Sequence, residues 1–376
     1  MRQIMGLMII SLLLMTGCWD MTDINQAVII SGVGVDYRNN KVIYIHQIDQ
    51  KVSQIEEGAG RPLTESIISQ GRTFAEAARS ANLSSSNYFL LGQIDLIMVG
   101  EDLAQTDMNL FSDFILRNRY LRLDTYMVLA VNDTPEKVYA EPMPLTAFSA
   151  MGMKNLLDNN EVRGGVFVPV TMLDFLGGLS TAGIQPVLPQ ISLSEGKVML
   201  KGTAVFKERK WVGSLNEEES RGYRWLHYKT KYGGMLIINS PVDKQAVLLE
   251  VNNFSSKIKP VIKNGQLKFD ITVDTSLHLY EQSGSGNLMT EKQRREMEKL
   301  ANREIERQIK ACLDKSQSLN SDILGLGLQT YRYYPEYWQE VEKDWPSIFP
   351  KVKADITVKS KVAGGHLAAK PVKLRS

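Results

Sequence analysis

Near the start of the chain an apolar run, Ile4 to Met15, broken only by Gly6 and Ser11, stops abruptly at Thr16-Gly17-Cys18. Its twelve residues would reach only about 18 Å as a helix, well short of the roughly 30 Å hydrocarbon core of a bilayer. With Arg2 ahead of it and small residues behind it, the segment has the layout of a secretory signal: charged start, apolar middle, small-residue cleavage site. Residues 1–17 are therefore expected to be a cleaved signal peptide, with the rest of the chain folding after export. No later stretch approaches the roughly 20 apolar residues of a membrane span, so membrane contact has to come from the N-terminus.

The two cysteines, Cys18 and Cys312, could be buried thiols or one disulfide. The surroundings of Cys18 argue against both. Met15-Thr16-Gly17-Cys18 resembles the bacterial lipobox, with Met15 standing where Leu is usual and Leu14 one place early. That resemblance implies an S-diacylglyceryl group on Cys18, cleavage before it, and a fatty acyl such as palmitate on the new amino terminus. At about 0.8 kcal/mol per buried methylene, two or more chains make a lasting anchor where one is marginal. Cys312 is then left without a partner and is expected as a buried core thiol.

At 376 residues, with 43% apolar and 23% charged side chains, the chain is a folded protein with room for two or three cores. The 44 basic and 42 acidic side chains leave a formal charge of +2. That is too little for a whole-protein field that steers nucleic acid, so no nucleic-acid partner is expected.

The mature chain reads as α+β. Val28 to Asp36 and Val42 to Ile48 are β-branched runs around Arg38-Asn39-Asn40-Lys41, a hairpin signal, and Gly32 and Gly34 suggest a bulge or close backbone approach. A dinucleotide loop is disfavoured there, because the third glycine is missing and no helix follows. A helix over Thr73 to Ala81, a strand over Ile94 to Val99, a helix over Glu101 to Arg119 and a strand over Thr125 to Val131 follow, closed by turn-rich segments at Glu141 to Pro144 and Gly177 to Pro189. A second, mainly β unit is expected to open near Val187, with a helix capped by Asn216 and a hairpin at Asn264-Gly265.

After the break Gln282 to Asn287, Thr290 and Gln293 form a capping-box pattern. The helix it starts carries Met297, Leu300, Ala301, Ile305, Ile309 and Cys312 on one stripe and charges on the other. That pattern is read as a solvated face over a packed one rather than as a partner surface. Strand chemistry returns at Val352 to Val358 and near Val362. The expected architecture is thus three mixed domains, 18–186, 187–281 and 282–376, with largely antiparallel sheets and packed helices after the cleaved lipoprotein signal peptide.

Chemistry is sparse. His46, His227, His278 and His366 lie far apart with no second ligand at metal spacing, and no nucleophile elbow, P-loop or S-x-x-K cluster occurs. No catalytic, cofactor-binding or metal-ligating residue is therefore assigned. The aromatic run Tyr331 to Trp345 could stack sugars or bases, but filling a core or an interface is the preferred reading.

Those residues also carry a family likeness. Cys18-Trp19-Asp20, Ile24-Asn25 and the strand Ile30 to Asp36 resemble the start of the spore-germination receptor C subunit, the Ger(x)C family. So do Gly202 with Phe206, Gly213 with Leu215, and Glu219. At the C-terminal end the likeness continues in Gly325-x-Gly327 followed by Tyr331-Arg332, Tyr334-Pro335 and Trp338. The resemblance runs in order over essentially the whole mature chain, with the tail after Val362, Gly364-Gly365-His366, as its departure.

It implies a fold of three α+β domains and a non-enzymatic lipoprotein subunit of a nutrient germinant receptor, required for spore germination. It also implies a place on the outer surface of the cell or spore inner membrane, beside an A subunit and a transporter-like B subunit. Only Cys18 carries over with a defined role. Whether the chain itself touches a small molecule is left open. An exported solute-binding lipoprotein feeding a transporter is the alternative; that class usually shows two similar βαβ lobes, and the later strands here read as hairpins, which disfavours it. An exported hydrolase is weakened by the lack of a recognised motif, and a cleft holding two carboxylates with raised pKa values would revive it.

Overall fold

The computed structural model describes residues 27–48, 65–85, 88–118, 120–144, 146, 148–227 and 232–364. Strand β1 (Ala27–Arg38) turns at Asn39-Asn40, φ 52° and 61°, into β2 (Lys41–Ile48). Asparagine tolerates the left-handed region, which is why this pair makes the turn. The register slips between Ile30 and Gly32, placing a bulge at the first of the two strand glycines. Strands β3 (Glu65–Gly71), β4 (Tyr88–Leu90), β5 (Leu96–Val99), β6 (Tyr126–Ala130), β7 (Val187–Ser194), β8 (Lys197–Lys207) and β9 (Lys210–Leu215) complete one nine-stranded sheet. Its order is β3-β2-β1-β5-β6-β7-β8-β9, with β4 pairing the start of β1.

The centre of this sheet is parallel: β5 lies between β1 and β6, and β6 pairs β7 in the same sense. Both faces are covered, so the short central strands are apolar throughout. Leu96, Met98, Val128 and Ala130 pack beneath α4 (Pro135–Ala140) and α5 (Ser149–Asn159). Ile97, Val99, Met127 and Leu129 face α1 (Phe74–Ser80), α2 (Glu101–Thr106) and α3 (Asn109–Arg117) on the other side.

The second sheet is β10-β11-β12-β13, from β10 (Met235–Asn239), β11 (Ala246–Lys263), β12 (Gln266–Gln282) and β13 (Lys353–Ala363). Its long hairpin turns at Asn264 and Gly265, φ 52° and 72°, and β13 adds in parallel to β12. The helix α8 (Glu291–Ser318), capped by Thr290, buries Met297, Ala301, Ile305, Ile309 and Cys312 completely. The thiol of Cys312 is free and buried, and burial pushes it up to about 12.

Three expectations change. The boundary at Val187 is not a break in the sheet, because β7, β8 and β9 are its last three strands. A hairpin-rich run says nothing of which earlier strand its first member joins. One contiguous core also runs from the first sheet through α8 to the second. The helix expected over Glu101 to Arg119 is two, α2 and α3, since the Asp107 carboxylate accepts from Asn109 N at 2.8 Å and draws the backbone out of the helix. The closing turn-rich segments enclose two further helices, α5 and α6 (Met172–Ser180), the latter started by a Thr171–Asp174 capping box. The fold is otherwise the mixed α and β architecture that the patterning indicated, with antiparallel pairs in the majority.

Candidate functional site

The expected lipidation site, Cys18 with Met15, Thr16 and Gly17, lies outside the described residues, as does His366. Among the described residues no group of three His, Cys, Asp or Glu side chains could hold a metal ion, and no helix is long and apolar enough to cross a membrane.

What the structure does form is a groove of about 730 Å³ where α1, α3 and β4 meet over β2. Its walls are apolar, from Ala75, Ala78, Phe89, Leu91 and Phe114, while Tyr88 and Tyr120 stand exposed at the rim. Two cations, Arg79 and Arg117, line it, and no Asp, Glu, Ser, Thr or Cys is among the described lining residues. Arg117 is held by Asp113 at 3.0 Å one turn earlier on α3. Among its described lining residues the groove therefore combines apolar walls with positive charge, an arrangement suited to binding an anion.

The inner wall carries His46, which alternation along β2 turns to the same side as Tyr44. Its ring lies 4.8 Å from Phe89 and 4.6 Å from Tyr44. His46 is only 1% exposed, and its Nδ1 has no hydrogen-bond partner among the described residues. Burial pulls its pKa down to about 4, so it is neutral at neutral pH. Its place under Phe89 depends on β4 folding back beside β1, which no local pattern announces.

The motif residues singled out in the sequence turn out to hold elements together. Asp36 is buried at the end of β1 and accepts from Leu103 N at 3.2 Å and Arg38 Nε at 2.6 Å. It thereby caps the N-terminus of α2, where Gly100 leaves room that a Cβ would take from the carboxylate. Arg38 reaches on to Glu136 of α4. Asp322 does the same for α9 (Leu326–Tyr333), accepting from Leu326 N at 2.9 Å and Gly327 N at 2.8 Å, and from the Trp345 indole at 3.1 Å. Trp338 and Trp345, 3% and 6% exposed and 5.3 Å apart, are core residues, which decides the aromatic run in favour of filling. Tyr331 and Tyr333 remain outside.

Gly222, on α7 (Glu217–Leu226), lies against the Gln308 carbonyl of α8, and Trp225 Nε1 donates to Gln308 Oε1 at 2.9 Å. Arg224 is buried beside them, its NH2 donating to the Tyr232, Gly233 and Glu161 carbonyls, and burial brings its pKa to about 10. Neither role was foreseen; only the spacing of Gly222 and Trp225 on one helix gave a signal.

Two family models match in sequence order: "Spore germination protein N-terminal domain" over residues 20–193 and "Spore germination B3/ GerAC like, C-terminal" over residues 201–365. Among relatives, the chain is 25% identical to spore germination protein KC of Bacillus subtilis (strain 168), covering 98% of this chain and 96% of that protein. It is 26% identical to spore germination protein B3 of the same organism, covering 94% and 96%. The crystal structure of the GerBC protein superposes with a TM-score of 0.59 at 19% identity, over 88% of this chain and 96% of that one, which shows a common fold.

Proposed function

The chain belongs to the Ger(x)C family of spore-germination proteins, and from that membership we propose that it is the C subunit of a nutrient germinant receptor, anchored by lipid on Cys18. In this reading residues 1–17 are removed, Cys18 takes an S-diacylglyceryl group and an N-acyl chain, and the fold stands on the outer surface of the cell or spore inner membrane. Its work is assembly with the receptor's A and B subunits and not catalysis. Tethering would raise its concentration beside those subunits, so modest interfaces suffice.

The observation that carries the reading is that the family match begins at residue 20, two residues past the candidate lipidation site, and continues to residue 365. The solute-binder alternative expects two similar lobes; a nine-stranded sheet with a parallel centre beside a four-stranded one does not have that form.

Substituting Cys18→Ala in the native host tests it. The variant is expected to lose membrane association and to weaken or abolish the germination response, and mass spectrometry of the wild-type mature N-terminus is expected to find an acylated cysteine. A bare thiol, an intact leader, or a fully responsive C18A strain would each overturn the proposal.

A further inference from the structure

We infer that the groove between α1, α3 and β4 is a binding site for a small apolar carboxylate, a monoanion carried on an aromatic or branched aliphatic body. Size comes first: about 730 Å³ falls within the roughly 300–1,000 Å³ of small-molecule sites, which are mostly apolar with a few convergent polar groups. Phe89, Phe114, Leu91, Ala75 and Ala78 supply the apolar wall. Charge comes next. The groove holds two arginines and no acid among its described lining residues. Arg117 is already committed to Asp113, which leaves the guanidinium of Arg79, in the last turn of α1, to receive a carboxylate.

The third observation is His46. A buried polar atom without a partner costs about 1–3 kcal/mol, and Nδ1 of His46 is one, on a residue that lines the groove. Its ring packs between Phe89 and Tyr44 and Nδ1 itself is closed to solvent, so His46 enters the groove as part of its apolar floor. The inference concerns this groove alone and does not depend on acylation of Cys18.

The test uses the mature chain from residue 18, expressed without the leader so that Cys18 stays unmodified; every described element lies within residues 27–364. 3-Phenylpropionate and its neutral analogue 3-phenylpropanol are titrated by calorimetry. Wild type is expected to bind the carboxylate at one site and the alcohol about tenfold more weakly. R79E, on an exposed side chain, should weaken the carboxylate by about tenfold and the alcohol by less than about threefold. A78W, which fills the groove, should abolish binding of both. Far-UV circular dichroism and a melting curve establish that each variant is folded; a misfolded A78W is replaced by A75W on the exposed side of the same helix. Four results overturn the inference. They are no binding of either probe up to about 10 mM, binding that survives A78W and A75W, equal affinity for acid and alcohol, and binding of phosphatidylglycerol vesicles in place of the soluble probes.

Discussion

Replacing Gly222 by alanine sets two terms of opposite sign against each other. In a helix interior alanine is favoured over glycine by about 1 kcal/mol, so propensity alone says that G222A stabilises. The packing says otherwise. An added Cβ would overlap the Gln308 carbonyl oxygen and lie 2.8 Å from Cys312 Cβ, inside the 3.0 Å that real Cβ atoms essentially never breach. A backbone carbonyl in α8 cannot rotate away, so α7 has to move out. A displacement of about 1 Å forfeits a quarter to a half of each dispersion contact it opens. The contacts at stake include Tyr223, Arg224, Trp225 and Leu226, all buried, and the Trp225–Gln308 hydrogen bond. Overpacking of this kind costs about 2–4 kcal/mol, leaving G222A destabilised by about 1–3 kcal/mol once the propensity gain is subtracted. Gly177 is the internal control. It lies in α6, and an added Cβ there meets nothing within 4 Å, so G177A should stabilise by about 0.5–1 kcal/mol. Urea unfolding of the two variants beside wild type reads both signs. If G222A is neutral or stabilising, or if both variants shift the same way, the close crossing of α7 and α8 is not what this reasoning takes it to be.

Burial pushes Asp322 up to about 6 from 3.8, held back by donors from Gly327, Leu326 and Trp345. A carboxyl raised in the folded state contributes stability that is whole below about pH 4 and is lost as pH rises through 6, about 3 kcal/mol in all. The stability difference between wild type and D322N should therefore shift in favour of the variant between pH 4.5 and pH 7, and parallel urea midpoints at the two pH values would expose a flat difference. Cys312 should resist a thiol reagent in the native protein and react only on unfolding, because its thiol is buried with its pKa at about 12; a native thiol count on the membrane-derived protein then reads zero if Cys18 is acylated and one if it is bare. In the β11–β12 turn, Gly265→Ala at φ 72° should cost about 1–2 kcal/mol, although its Cβ would meet nothing; an unchanged urea midpoint would refute the strain argument.

How much of this was legible from residues alone depended on the distance over which each feature is decided. The Asn264-Gly265 hairpin, the N-caps at Asn216 and Thr290, the buried stripe from Met297 to Cys312 and the irregular backbone at Gly32 follow the local sequence, although Thr290 forms only its own arm of the box with Gln293. Each is set by a few neighbouring residues through backbone sterics, capping hydrogen bonds or side-chain period. The candidate groove was not legible. It needs the stretch from α1 to β4 to converge with α3 on His46 of β2, three segments well apart in sequence.

Local chemistry was therefore sufficient for the kinds of element, most of their limits and the likeness to a germination family. Strand order was not available from it: the parallel centre β1-β5-β6-β7 and the passage of that sheet through Val187 join segments tens of residues apart. A strand's alternation shows that it has a buried face, but the partner along its edge is chosen by backbone hydrogen bonds that every residue can make alike. For the same reason Asp36 and Asp322 show as helix caps, and Trp338 and Trp345 as core, only once distant helices are docked against them.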